Sequence, residues 1–540
     1  MVDNTYKREP ATAPYNFIPY DAARLVPAEE GNRCYSGTIH CCLEALGPLF
    51  IGGKTKKEDD QVAQKYFFKV NGKCVIPGTS LKGMLRHMVE IMSQSHMSPV
   101  NKRKIFWRDV VGRPTGGYKT FFNSEPREGE GILSNTGGFL KSVDSRYKLF
   151  PANVERGDGP NAYKTGELKN KPFRQGYIFS PKSNAPGLDV PQSVMDWFEE
   201  QLTTDQEKRW KKEKKNLGRG GARVFYALDE QGQVKGIGTA RYFRIPYIRT
   251  VANLLGPCPE HDFASTLFGR TGKRADGTDA TCKGRVAVEA AHFTHCVEQS
   301  SPTRVVLQEP HPSYLPHYIC QSADRFARQK GKDALTSYND DNVCLRGRKY
   351  YWHRDPARSL SGHIANFKVA ADLYPVQKGA RASFVIHVND VNGIELGAIL
   401  EALCLPEGHA HKLGMGKALG FGSVRITVER VEVYRPGERY ASLKQRFANL
   451  AVPAMTREEQ AGLRDDFKKH VARHAGCDFE KLESIRTLRC MTDFEHKPHN
   501  ALTESMQRFR FQNNVPLPTA LEVVRQKPGN SMAGKGHWQR

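Results

Sequence analysis

One stretch of twelve residues places four glycines within nine positions, and it constrains the fold more than any other. Its sequence is Leu413-Gly-Met-Gly-Lys-Ala-Leu-Gly-Phe-Gly-Ser-Val424. Glycine allows positive φ angles and lets another backbone approach without a Cβ atom in the way. Successive backbone N–H groups in such a loop can form an anion-binding nest. The loop therefore predicts either a site for an anion or a tight crossing between two packed elements.

Regular elements are predicted on both sides of this loop. Upstream, apolar residues recur at helical spacing through Ile394–Leu405, and Pro406 follows, which predicts a helix that ends there. Downstream, apolar and polar residues alternate from Val424 to Glu429, which predicts a half-buried strand. The unit is a helix, a glycine-rich loop and a strand.

The same two periodicities occur elsewhere. In Val75–Arg86, Thr79 or Ser80 is a suitable N-cap for a helix with an apolar stripe. Alternating patterns predict strands at 39–45, 223–228, 284–290, 303–307 and 384–388. Apart from a long insertion and one additional strand, the order is strand, helix, strand, strand, helix, strand. This order predicts an α+β fold with an RRM-like or ferredoxin-like palm, β-α-β-β-α-β.

Composition divides the chain into five parts. The insertion is rich in Gly, Lys, Arg and aromatic residues, and the last part shows helical patterns and a polar tail that we expect to be flexible. The predicted parts are a leader at 1–33, the first palm part at 34–94, the insertion at 95–265, the second palm part at 266–434 and a helical C-terminal extension at 435–540.

The charge of the chain predicts a polyanionic partner. Its 81 basic and 58 acidic residues give a formal net charge of +23, which favours nucleic acid over an acidic membrane surface. The basic run Lys208–Lys215 encloses Trp210, a pattern that fits a solvated helix and a nucleic-acid surface equally well. No 18-residue apolar span or signal peptide is found. We therefore expect a cytoplasmic protein without a membrane partner.

Two features bear on anion and metal binding. Lys82 and Arg86 are four residues apart near a helix start, where amides and helix dipole would add to their charge on a phosphate. Two ordinary solvated cations would give the same pattern. The cysteines form no C-x-x-C pair, and the sets Cys258/His261/Cys282 and His292/His295/Cys296 lack standard ligand spacing, so we do not expect structural zinc.

At this point the chain resembles one family. The RAMP superfamily of CRISPR-associated proteins has motifs that resemble, in this order, Val75–Arg86, Leu267–Gly269, Gly284–Glu289 and Leu413–Val424. The chain is most similar to the backbone subunit of type III effector complexes, in a longer branch with a large insertion. That branch also has segments that resemble Ala13–Pro19, Arg346–His353 and Glu395–Leu405.

The resemblance implies a palm that grips CRISPR RNA by its backbone within a ribonucleoprotein, where base pairing reads sequence and protein reads shape. The implied partners are CRISPR RNA, complementary target RNA and other effector subunits. The implied RNA contacts are Thr79, Ser80, Lys82, Arg86, Arg285, Lys417 and the loop amides of Gly414, Gly416, Gly420 and Gly422.

Family members that cut target RNA carry an aspartate between the first strand and the Ile-Pro-Gly motif. In this chain that loop offers Asp59 and Asp60. A Mg²⁺ ion on Asp60 would neutralise charge on the scissile phosphate while a ribose 2′-OH attacks. Asp59 and Asp60 are equally well explained as solvated acidic residues at the end of the loop, beside Lys54–Lys57. The sequence therefore leaves open whether the chain is an enzyme.

Two alternatives to a guided ribonuclease remain at the sequence level. A CRISPR-RNA processing endoribonuclease would use a histidine as general acid or base, and His40, His87, His311 and His317 are available. A non-catalytic subunit would only hold RNA. No Gly-x-Ser-x-Gly, His-Glu-x-x-His or Walker A motif indicates an unrelated hydrolase.

Overall fold

A computed structural model gives the positions of most of the chain. It describes residues 13–28, 35–58, 61–97, 100, 103–107, 137–157, 159–165, 176–228, 231–241, 243–272, 279, 281–306, 310–322, 335–356, 370–439, 452–497 and 516–525. The predicted flexible tail after 525 lies outside these residues, as do Asp59 and Asp60.

The described strands are, in chain order, β1 Tyr15–Ile18, β2 Tyr35–Ala45, β3 Gly52–Lys56, β4 Ala63–Phe67, β5 Lys69–Val70, β6 Lys73–Ile76, β7 Phe106–Trp107, β8 Gly137–Val143, β9 Arg146–Arg156, β10 Tyr163–Lys164, β11 Gly176–Pro181, β12 Leu188–Val190, β13 Ala222–Leu228, β14 Val234–Gly238, β15 Ile245–Pro246, β16 Val286–Val288, β17 Ala291–His295, β18 Thr303–Val306, β19 Arg348–Tyr351, β20 Ala370–Tyr374, β21 Arg381–Val391, β22 His411–Lys412 and β23 Ser423–Tyr434.

The described α-helices are α1 Gly78–Met92, α2 Gln192–Glu200, α3 Thr204–Lys214, α4 Val251–Leu255, α5 Phe263–Phe268, α6 Leu315–Tyr318, α7 Gly393–Leu403, α8 Pro436–Arg439, α9 Arg457–Ala475, α10 Glu483–Thr492 and α11 Ala520–Arg525. Short 3₁₀ helices lie at Ala22–Arg24, Lys417–Leu419 and Phe479–Lys481. The mixture of helices and sheets confirms the predicted α+β class.

The largest sheet has the order β22-β23-β2-β21-β17-β6-β5, and β16 pairs with β21 beside β17. All pairings along it are antiparallel; in the register, Ile39 of β2 lies opposite Ile386 of β21 and Val431 of β23. The predicted alternation in β2 is confirmed, because Ile39, Cys41, Leu43 and Ala45 are buried while His40, Cys42 and Glu44 are only half-buried. The alternating strands at 384–388 and 424–429 are confirmed in the same way.

Helices α1 and α7 join this sheet in one hydrophobic core. Helix α7 follows the predicted helix within two residues at each end, and a capping box between Asn392 and Glu395 fixes its start. Its outward side is covered by α9, which approaches so closely that a Cβ on Gly397 would lie 2.0 Å from the carbonyl oxygen of Leu463. The C-terminal extension therefore completes the core around α7.

The start of α1 corrects one expectation. The helix begins at Gly78 with Pro77 as its N-cap and no side-chain cap, so Thr79 and Ser80 lie within the first turn. Gly78 abuts β16, where an added Cβ would lie 2.0 Å from the carbonyl oxygen of Val288. This close approach sets the helix start before either hydroxyl residue.

The insertion carries its own seven-stranded sheet, with the order β10-β11-β9-β8-β13-β14 and β12 beside β9. Helices α2 and α3 pack on it, and Trp210 of the basic run is 3% exposed within this second core. Its ring packs on Phe198 at 4.8 Å, and its indole N–H donates to Glu199. The run is thus the outer face of a packed helix, and Trp210 is not available for base stacking.

The leader is attached to a distant segment. Strand β1 pairs with β19, with Tyr15 opposite Tyr351. The pairing places the basic and aromatic residues of 346–353 beside those of 13–18. Strand β18 lies in a further sheet, β18-β20-β4-β3.

Candidate nucleic-acid interface

The glycine-rich loop is folded by close backbone contacts. Gly414, Gly416, Gly420 and Gly422 all have positive φ, from +71° to +88°. An added Cβ would lie 1.9 Å from the carbonyl oxygen of Leu413 at Gly422, and 2.4 Å from that of Phe50 at Gly414. Both predicted uses of glycine, unusual φ and close approach, are therefore present here.

Most amides of the loop donate within the protein. Met415 N–H donates to Phe50, Gly422 N–H donates to Pro48, and the N–H groups of 419, 420 and 421 donate to carbonyls of Gly416 and Lys417. Among the described residues no acceptor is present for the amides of Gly414, Gly416, Lys417 and Ala418. The amides of 416–418 are consecutive, and this is the part of the loop that can face an anion.

Lys417 lies at the same corner. Its ammonium is 5.8 Å from the ring centroid of Tyr351, and burial lowers the pKa of this lysine. Within the described part of the chain it forms no ion pair. A partly desolvated cation without a carboxylate is a favourable site for a phosphate.

Tyr351 connects Lys417 to a second lysine. The Lys349 ammonium lies 3.7 Å from the ring centroid of Tyr15, 5.5 Å from that of Tyr351 and 5.4 Å from that of Tyr318, whose hydroxyl it contacts at 3.0 Å. Burial lowers the pKa of Lys349 to about 8. We call these five residues, Tyr15, Tyr318, Lys349, Tyr351 and Lys417, the lysine–tyrosine surface.

This surface was missed as a site by sequence reasoning. The segment Arg346–His353 carries basic and aromatic residues, but its partners Tyr15 and Tyr318 come from other parts of the chain. The pairing of β1 with β19 brings Tyr15 there. Cation–π contacts of this kind hold a lysine in place and leave its charge available to a ligand.

The two predicted cations of helix α1 differ in their surroundings, because Lys82 lacks a carboxylate partner among the described residues and Arg86 forms hydrogen bonds within the protein. Lys82 is half-buried, burial and then Arg86 lower its pKa, and no carboxylate pairs with it among the described residues. Arg86 donates from Nε to Glu90 at 2.7 Å and from a terminal nitrogen to the Gly269 carbonyl at 3.0 Å. Lys82 thus remains a candidate phosphate contact, and Arg86 ties α1 to the end of α5. The first-turn residues Thr79 and Ser80 are exposed and half-buried, respectively.

Arg285 is placed differently from its predicted role. Its guanidinium forms a bidentate ion pair with Glu395, and the two side chains are 10% and 2% exposed. The same guanidinium donates to the Asp390 carbonyl. The geometry gives Arg285 a structural role at the junction of β16 and α7.

The predicted cleavage loop joins β3 to β4. Every residue of β3 is exposed, including Lys54 and Lys56, so the loop extends from an exposed, basic hairpin. Asp59 and Asp60 themselves lie outside the described residues. Within the described part of the chain, no three His, Cys, Asp or Glu side chains lie together in a way that could hold a metal ion.

Two of the four histidines considered for RNA processing are in surroundings that do not suit acid–base catalysis. Burial lowers the pKa of His87 to about 3, with Arg348 and Lys417 adding to the effect. Burial, then Arg346 and Lys349, lower the pKa of His317 to about 3. Such imidazoles stay neutral near pH 7 and are poorly matched to acid–base catalysis. His40 pairs with Glu432 on the open face of the main sheet, and His311 is exposed.

A comparison of the sequence with known families decides the identity. The sequence profile of the RAMP superfamily matches residues 42–425, more than two thirds of the 540 residues. The chain belongs to the RAMP superfamily. The matched range of this RAMP protein runs from β2 through the insertion and the glycine-rich loop to the start of β23.

Solved structures and curated sequences add little to this assignment. A crystal structure of Thermofilum pendens Csc2 is 10% identical, with 85% of this RAMP chain and 86% of that chain covered and a TM-score of 0.25. A cryo-EM structure of the type III-B Cmr-beta bound to cognate target RNA is 11% identical, with 73% and 97% covered and a TM-score of 0.19. No curated protein matches significantly. The assignment rests on the family profile. No helix of the described residues has the length and apolar character needed to cross a membrane.

Proposed function

We propose that this RAMP protein is a CRISPR-RNA-binding backbone subunit of a type III effector complex. It holds RNA by its phosphates at the amides of Gly416–Ala418, at the lysine–tyrosine surface and at Lys82. One observation carries the proposal. Lys82, Lys349 and Lys417 are partly buried cations for which the described residues provide no carboxylate. Burying unpaired charge costs stability unless an anion binds, and the phosphates of RNA are such anions.

We propose further that β2, α1, β16–β17, β21, α7 and β23 are the six elements of the predicted palm. The order β23-β2-β21-β17 supports this, because a β-α-β-β-α-β palm has its third strand between its first and second. The outer face of β2 and β21 carries Thr38, His40, Arg381, Ser383 and His387, and none of these five side chains is Phe, Tyr or Trp. We therefore place RNA at the loop edge of the palm and not across the sheet as in an RRM.

The proposal is tested by RNA affinity as a function of salt. Lys82→Gln with Lys417→Gln should weaken binding of every RNA sequence and reduce the slope of log K against log [salt] by about 0.7 for each lost contact. Lys469→Gln is the matched control, because Lys469 is exposed and paired with Asp466 in α9. Equal slopes in the double variant and the control would refute the proposed contacts.

The identity of the bound RNA is tested separately. The protein, purified from its native cell, should carry repeat-derived guide RNA that can be sequenced. If the co-purified RNA is of random origin, the protein binds RNA but is not the proposed subunit of an effector complex.

A further inference from the structure

A cavity of about 350 Å³ lies between α1 and the ribbon formed by β1 and β19. Its walls include the aromatic rings of Phe17, Tyr318 and Tyr338 and the imidazole of His87. The His87 ring is held parallel to that of Tyr350, at 6.0 Å between centroids and 8° between planes. Ligand pockets begin at about 300 Å³, so this cavity suits a single nucleobase or nucleoside and not a larger cofactor.

A hydrogen-bond acceptor, Glu90, and a hydrogen-bond donor, Arg348, both line this cavity. One carboxylate oxygen of Glu90 accepts from Arg86, and no described residue donates to the other. Arg348 is 7% exposed, and one of its terminal nitrogens donates to the Ser95 carbonyl at 2.5 Å. The guanidinium carbon lies 5.4 Å from the ring centroid of Tyr20, and the described residues provide no hydrogen-bond acceptor for its other nitrogens. The cavity thus offers a hydrogen-bond acceptor and hydrogen-bond donors within apolar and aromatic walls.

The cavity adjoins the proposed RNA contacts. Lys349 lines it, and the same ammonium lies 5.5 Å from the ring of Tyr351, which has Lys417 at 5.8 Å. His87, on the opposite wall, is close enough to Lys417 for that charge to contribute to lowering its pKa, after burial and Arg348. A strand bound by its phosphates at Lys417 can therefore reach the cavity with one base.

We propose that the cavity takes a guanine base turned out of the bound RNA strand. Guanine presents N–H donors that match the free oxygen of Glu90 and an O6/N7 acceptor edge that matches Arg348. Its ring stacks on the aromatic walls, as single-stranded bases do in sequence-selective RNA sites. This inference rests on the proposed RNA-binding function and adds base selectivity to it.

The test uses the full chain and oligo(U) RNAs that differ only at one central nucleotide. Central guanosine should bind about tenfold more tightly than central uridine or an abasic site, within the range of base stacking on aromatic side chains. Central inosine, which lacks the 2-amino group, should lose part of this gain. Glu90→Gln should reduce the difference between guanosine and inosine.

A filling variant separates the cavity from the phosphate contacts. Val251 lines the cavity, and Val251→Phe should remove the guanosine advantage while the affinity for oligo(U) and its salt slope stay unchanged. Val70→Phe is the control, since Val70 is 46% exposed on β5. If the wild type binds oligo(U) and binds RNA with a central guanosine no more tightly, the cavity proposal is overturned while the proposed RNA-binding function is supported.

Two further outcomes are decisive. Absence of RNA binding altogether would overturn both proposals. Binding of free GMP that Val251→Phe abolishes, without a guanosine advantage in RNA, would show that the cavity serves a free nucleotide and would overturn its assignment to an RNA base.

Discussion

Arg285 and Glu395 form a buried, bidentate ion pair that joins β16 to the first turn of α7. Glu395 also accepts from the backbone N–H of Asn392 and so completes the capping box of α7. One carboxylate therefore fixes both the start of a core helix and the strand beside it. The glycine-rich loop follows this helix after β22, so the pair fixes the helix that precedes the proposed RNA contacts.

Arg285→Met should destabilise the fold by roughly 3–5 kcal/mol, because it leaves the Glu395 carboxylate buried without its partner. The free energy of unfolding in urea measures this loss. The salt slope of RNA binding by the folded variant should equal that of the wild type. If the variant instead has normal stability and a reduced salt slope of RNA binding, Arg285 contacts RNA.

Gly422→Ala should destabilise the loop, because the new Cβ would meet the Leu413 carbonyl at 1.9 Å and hold φ at +75°. Strain at such a position costs about 1–3 kcal/mol before the steric displacement is added. Thermal unfolding measures the cost. Gly83→Ala is the matched control, since nothing lies within 4 Å of its Cβ position in α1. The control should gain about 0.5–1 kcal/mol, and equal losses at both positions would contradict the argument.

The main sheet and α7 were predictable because their patterns are local. A strand with one buried face alternates with period two, as β2 shows with Ile39 and Leu43, and a helix repeats with period 3.6. The glycine-rich loop was predictable as a close backbone contact for the same reason. The segment that it packs against, around Pro48 and Phe50 between β2 and β3, was not predictable, since nothing local marks a carbonyl that another segment will approach.

The lysine–tyrosine surface depends on pairing between distant residues. Tyr15 and Tyr351 meet only because β1 pairs with β19, and no periodicity encodes that choice. Arg285 shows the converse. Its motif resembled that of an RNA-binding family, but its charge is used by Glu395, 110 residues later. A sequence shows which residues carry charge, while the fold decides which of them remain unpaired.

Asp60→Asn should abolish Mg²⁺-dependent cleavage of guide-complementary RNA if the hairpin loop between β3 and β4 carries the predicted carboxylate. A loss of roughly 10²-fold or more is expected when a group that stabilises transition-state charge is removed. Asp59→Asn tests the neighbouring aspartate, and Glu58→Gln is the control because Glu58 is exposed in the same loop. The assay uses the ribonucleoprotein with its guide. Wild-type protein that binds target RNA with Mg²⁺ and leaves it intact would be a non-catalytic scaffold.

Lys412 provides a prediction about pH. It is 5% exposed beneath the glycine-rich loop and donates to the Phe421 carbonyl at 3.1 Å and to the Ser423 hydroxyl at 3.0 Å. Burial, and then the nearby charges of Lys417, Lys497 and Arg354, lower the pKa of Lys412 from its ordinary 10.5 to about 7. Between these two pH values the unfolded chain binds more protons at this position than the folded chain, so this lysine makes the fold more stable as pH rises.

Lys412→Met should remove that dependence. The free energy of unfolding of the variant, relative to that of the wild type, should be highest at pH 7 and below. Above pH 7 this difference in stability should fall by about 1.4 kcal/mol per pH unit. Urea unfolding of both proteins at pH 7 and pH 9 measures the change. Lys469→Met, at an exposed position, should show no such trend. If the wild type and Lys412→Met differ by the same amount at both pH values, Lys412 is charged throughout this range, and the loop rests on a buried ammonium rather than on a neutral amine.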